Sequence, residues 1–142
     1  MQSVTLSRTI DAPPEAVDDA MADLKPFMLA AGFDEVAVDD EDRFRIAMAF
    51  SFARIELVLD LLEDDDAALA YEQHEGIFEE MVTAYELEET AEGTDATART
   101  EFALDVAVVG GVLDATVIKR QRRRELDAQL EWLAAECETG ES

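Results

Sequence analysis

The sequence has a single cysteine, Cys137, and a single histidine, His74. One cysteine excludes an internal disulfide and any cysteine-based zinc site, and near the end of a helical pattern it reads as a small apolar group. The histidine lies in "YEQHEG", beside a turn, where it reads as a solvated residue. "HEGIFEE" lacks the second histidine of a helical zinc-protease motif, and Glu72 with His74 makes at most a two-ligand pair. No metal site and no cofactor are expected. No glycine-rich phosphate loop follows a strand, and neither Ser51 nor any other serine sits in a nucleophile elbow. The chain also has no apolar window long enough to span a bilayer and no basic segment leading into an apolar one, so a cytoplasmic protein without an integral membrane segment is expected.

Lysine is scarce too. Two lysines and nine arginines face thirty-five Asp and Glu, for a formal net charge of −24. The acids gather in runs at 39–42 and 63–66, which read as solvated surface. Such a balance suits a halophilic cytosol: in molar salt the Debye length falls to about 3 Å, screening the self-repulsion while the carboxylates keep the chain hydrated. Apolar residues make up 49% of the 142, which argues against disorder and for one globular domain. That domain is expected over 1–138, with 139–142 a short polar tail.

The first ten residues alternate as a half-buried strand, with Val4, Leu6, Arg8 and Ile10 in one phase. Asp11, Pro13, Pro14 and Glu15 combine a capping residue with first-turn prolines, and Val17, Ala20, Met21 and Leu24 follow at helical spacing. Pro26 interrupts that helix, and a second short one ends near Gly32. From Phe33 to Val108 the pattern is strand-like, with turns at 39–42, 63–66, 75–76 and 92–95. After Gly110 and Gly111 it becomes helical to about Cys137, roughly 40 Å of helix. The expected fold is α+β: seven antiparallel strands in a curved sheet wrapped around a long C-terminal helix, with two short helices after the first strand. A sheet with one apolar face must cover it, and only the last helix is long enough. A space lined by apolar side chains can remain between them.

Two stretches carry a family resemblance. "VTLSRTIDAPPEAV" (4–17) resembles the opening strand and Ala-Pro-Pro-Glu helix start of the START-like or SRPBCC superfamily, and "GGVLDATVIKRQRRRELDAQLEWL" (110–133) resembles its terminal helix. These helix-grip proteins include polyketide cyclases and dehydrases, lipid-transfer domains and birch-pollen-allergen-like proteins. The resemblance covers essentially the whole chain and departs where an aromatic often follows the Pro-Pro-Glu start; here Asp18 and Asp19 stand. It implies the fold and leaves the function open among carriers, enzymes and regulatory domains.

Five of the eleven basic residues lie in "KRQRRR", 119–124. A nucleic-acid patch is not expected, because counterion release is feeble in high salt and no aromatic lies between the arginines. On a helical wheel Lys119 and Arg122 follow the apolar stripe, whereas Arg120, Arg123 and Arg124 turn toward surface acids; Arg122 can reach Glu125, and Arg123 and Arg124 can reach Asp127. Lys119 and Arg122 either snorkel or pair with an inward carboxylate, best Glu79, which alternates in step with Met81, Thr83 and Tyr85, or they hold the anionic or carbonyl end of an apolar ligand. Phe44, Met48, Phe50 and Phe52 on one strand, with Met81, Tyr85 and Phe102 on others, are the candidate cavity lining, and each aromatic also fits a plain core. Three functions stay open. One is a monomeric carrier of a hydrophobic, lipid- or isoprenoid-like small molecule; another is a cyclase- or dehydrase-type enzyme with a polar pair such as Tyr85 and Glu79; the third is an interaction domain with a filled cavity.

Overall fold

The structure is a computed structural model that describes residues 2–50, 53–104 and 115–139. Strand β1 (Gln2–Ile10) is followed by helices α1 (Pro14–Ala22) and α2 (Leu24–Leu29). Then come β2 (Glu35–Val38), β3 (Arg43–Phe50), β4 (Ala53–Leu61), β5 (Leu69–Glu75), β6 (Phe78–Thr90) and β7 (Gly93–Leu104), and finally helix α3 (Ala115–Thr139). The strands form one antiparallel sheet in the order β1-β7-β6-β5-β4-β3-β2. This is the helix-grip arrangement that the periodicities predict. The final segment of the predicted last strand, with Val106 and Val108, and the start of the helix after Gly110 lie outside the described residues.

Alternation decides what each strand buries. In β3, Phe44 and Ile46 face inward and are buried, while Arg43 and Arg45 face outward and bond Asp60 (2.7 Å) and Asp39 (2.9 Å). These bridges are largely exposed and add little stability. On α3 the spacing of Leu126, Leu130, Leu133 and Cys137 makes the buried stripe. It packs on β1, β7, α1 and α2.

The corner after β1 differs from the expectation. Pro13, not Asp11, takes the N-cap position of α1, and no side chain caps it. Pro14 supplies the first helical residue, where a missing N–H leaves nothing unsatisfied. The Asp11 amide instead donates to Glu138 Oε2 at 3.1 Å, tying the corner to the end of α3. The interruption attributed to Pro26 falls three residues earlier, at Asp23, and Pro26 sits in the first turn of α2, where proline is tolerated.

The β5–β6 hairpin positions one wall of the site. The Gln73 side chain closes it from both sides: its Nε2 donates to the Phe78 carbonyl at 2.7 Å, and the Phe78 amide donates to its Oε1 at 3.0 Å. A Cβ at Gly76 would stand 2.2 Å from Leu57 Cδ2, so the tip lies flat on the β4 side chain beneath it. Gln73→Ala is expected to cost about 1 kcal/mol and to speed hydrogen exchange at the Phe78 amide, with distant strands unaffected.

Candidate functional site

Between the sheet and the first half of α3 lies a cavity walled by Ile46, Met48, Ile55, Leu57, Met81 and Ile118, closed by Ile77 and Phe78 of the hairpin. Its polar side is made by Tyr71, Gln121, Arg122 and Glu125. About 20 Å³ is open to the centre of a water-sized sphere, room for about one water. Counted out to solvent, the unfilled space is about 430 Å³.

Arg122 and Glu125 are one turn apart on α3, 6% and 1% exposed, and form an ion pair through Nη1 and Oε1. Arg122 Nη2 donates to the hydroxyls of Thr83 (3.0 Å) and Thr100 (3.1 Å), which stand opposite each other on β6 and β7 and bond each other at 2.8 Å. The Thr100 hydroxyl donates to the Val82 carbonyl at 3.3 Å. Burial, the largest single effect, works against the guanidinium charge, but Glu125 together with Tyr71 and Tyr85 more than offsets it, and the net effect raises the Arg122 pKa. Arg122 Nε is buried and has no hydrogen-bond partner among the described residues.

A second polar layer lies deeper. The Tyr85 hydroxyl donates to Gln129 Oε1 at 2.5 Å, and Gln129 Nε2 donates to the Phe27 carbonyl at 3.3 Å, joining sheet, α3 and α2. Tyr71 and Tyr85 bring their hydroxyls to 3.5 Å, long for a hydrogen bond between hydroxyls. Burial holds the Tyr85 pKa well above the ordinary phenol value. The folded state thus keeps a proton that the unfolded chain loses, so stability is expected to fall as pH rises past about 10. The fall should be shallower in Tyr85→Phe, read from urea midpoints across alkaline pH.

Of the residues expected to line the cavity, Met48, Met81 and Arg122 do so. Phe44, Tyr85 and Phe102 are buried but belong to the packed core: Phe44 meets Tyr71 edge-on at 5.4 Å, and Phe102 packs on Phe78 at 5.3 Å. Lys119 is half-buried and does not reach the wall. Phe52 and the side chain of Phe50 lie outside the described residues. Glu79 is exposed, because the register slips between Phe78 and Glu80 and makes Glu79 the extra residue of a β-bulge. The inward phase therefore passes from Met81 to Phe78, and the carboxylate that meets Arg122 is Glu125. Arg120, Arg123 and Arg124 are exposed and make no ion pair with the described residues, so the expected pairing with Asp127 is not formed. On so exposed a face the Coulomb gain does not hold two long side chains in place. His74 is exposed on β5, with Nδ1 3.4 Å from Asp60, away from the cavity.

Tyr71, Gln121 and Gln129 also belong to the site and are not among the residues expected from the sequence. For Glu125 and Gln129 there is a signal: with Arg122 they recur at three- and four-residue spacing along the buried leucine stripe, where a polar side chain must find a partner.

No curated protein matches the chain. Among solved structures, a protein of Thermus thermophilus superposes with a TM-score of 0.80 at 20% identity, covering 99% of this chain and 100% of that one. An aromatase/cyclase from a Streptomyces species gives 0.76 at 18% identity, covering 95% and 94%. A START superfamily protein from Mycobacterium smegmatis gives 0.73 at 9% identity, covering 96% and 97%. Likeness at such identities speaks to the fold. The family model described as polyketide cyclase / dehydrase and lipid transport matches residues 1–138, and the chain belongs to that family.

Proposed function

We propose that this protein binds a hydrophobic small molecule, lipid- or isoprenoid-like, in the cavity between sheet and α3, and carries it rather than transforming it. The observation behind this reading is an apolar-walled space bordered by a buried ion pair whose guanidinium keeps one N–H without a partner among the described residues. A purely structural core gains little from such a pair, since apolar residues of equal volume usually serve as well. With room for about one water, the cavity has to widen to admit a ligand, and the flexible side chains of Met48 and Met81 and the hairpin tip are the parts able to yield. A cyclase or dehydrase reaction is less favoured, because the one carboxylate among the described residues of the wall, Glu125, is committed to Arg122 and Tyr85 holds its proton tightly. Native mass spectrometry of protein purified from its own host is the test. A co-purifying apolar compound is the expected result, and a persistently empty protein would favour an interaction domain with a filled cavity.

A further inference from the structure

The polar side of the cavity is already neutral. Among the described residues lining it, Arg122 and Glu125 are the only charged ones, and they cancel. Both Glu125 oxygens are in use, Oε1 by Arg122 and Oε2 by the Gln121 amide at 3.2 Å. The described wall also carries donors: Arg122 Nε–H, which has no hydrogen-bond partner among the described residues, and the Tyr71 hydroxyl, whose 3.5 Å contact with the Tyr85 hydroxyl is long for a hydrogen bond.

We propose that Glu125 is a built-in counter-ion that sets the charge class of the ligand, so that the cavity takes an apolar molecule ending in a neutral acceptor oxygen, such as a ketone, and turns carboxylates away. The inference rests on the binding function proposed above. A ligand carboxylate brought to Arg122 would meet the Glu125 carboxylate in a site with little water to screen them, and among the described residues of the wall no second cation compensates. A carbonyl oxygen needs only donors, and it leaves the pair intact. Glu125 is thus a specificity-determining residue that acts by repulsion.

Isothermal titration of the whole protein with methyl nonyl ketone and with decanoate at neutral pH tests this. Wild type is expected to hold the ketone about a hundred-fold more tightly, the scale of a like-charge juxtaposition at a buried site. Glu125→Gln keeps the shape but frees the Arg122 charge, and is expected to reverse the order, with decanoate also raising its melting temperature. The double variant Arg122→Met with Glu125→Leu removes the charges and the donor together. It is expected to lose about ten-fold in ketone affinity, one hydrogen bond's share, without gaining decanoate binding. Equal affinity of wild type for both probes overturns the charge rule while leaving the binding function in place. That comparison needs no variant, so it stands even if Glu125→Gln folds poorly. Binding of neither probe to wild type overturns the binding function and the charge rule with it.

Discussion

Glu125→Leu is expected to lower the unfolding free energy by about 3–5 kcal/mol, whereas the double variant Arg122→Met with Glu125→Leu should equal or exceed the wild type. The asymmetry follows from the surroundings of the pair. Arg122 is 6% exposed, and its other polar contacts are two threonine hydroxyls, which satisfy hydrogen bonds but carry no charge. Removing Glu125 alone strands a desolvated cation that cannot shed its proton at any accessible pH. Removing both partners leaves Thr83 and Thr100 bonded to each other and Thr100 to the Val82 carbonyl, so no new orphan arises on the sheet. Urea midpoints of the wild type and the two variants decide it. A single variant no worse than the double would mean that the pair is hydrated.

Phe27→Ala is the other large effect. Phe27 is fully buried on α2, with its ring edge-on to Tyr85 at 5.1 Å and tilted on Trp132 at 6.1 Å. It joins the plug helix to the sheet and to α3, and its carbonyl accepts from Gln129. Truncation removes the transfer free energy of the ring and leaves a cavity that three elements cannot close, about 3–5 kcal/mol together. For a chain of this size that is a fall in Tm of about 10–17 °C. Trp132 is the only tryptophan, so its fluorescence reports both the unfolding transition and the changed packing. Phe27→Leu, which keeps most of the volume, should retain most of the stability.

Much of the architecture was legible in the residues, because period and position are local signals. The alternation of Phe44, Ile46 and Met48, the leucines of α3 and the acid-rich turns each point to one element, and the need to cover an apolar face joins them. What stayed hidden depends on contacts across the sheet. Nothing in "IFEEMVTAY" marks the bulge at Glu79, which exists only relative to β7. Nor does phase tell a cavity wall from solid core: Phe44 and Met48 share a face of β3, yet only Met48 borders the space, because curvature of the sheet and position along the strand decide it. Lys119 and Arg122 likewise share a face of α3 but differ by one turn, and only the second lies deep enough to be enclosed. The spacing that lets Arg122 reach Glu125 was visible; that both are enclosed was not.

The most direct measurement is of where an apolar ligand sits. Isotope-filtered nuclear Overhauser spectra of protein with labelled methionine methyls, mixed with methyl nonyl ketone, can separate the five methionines. The predicted result is contact from the ketone to Met48 and Met81, which border the cavity, and none to Met21 and Met28, which lie in the packed core under α1 and α2. Contacts confined to Met21 and Met28, or none to Met48 and Met81 under conditions where the ketone binds, would contradict a site between the sheet and α3.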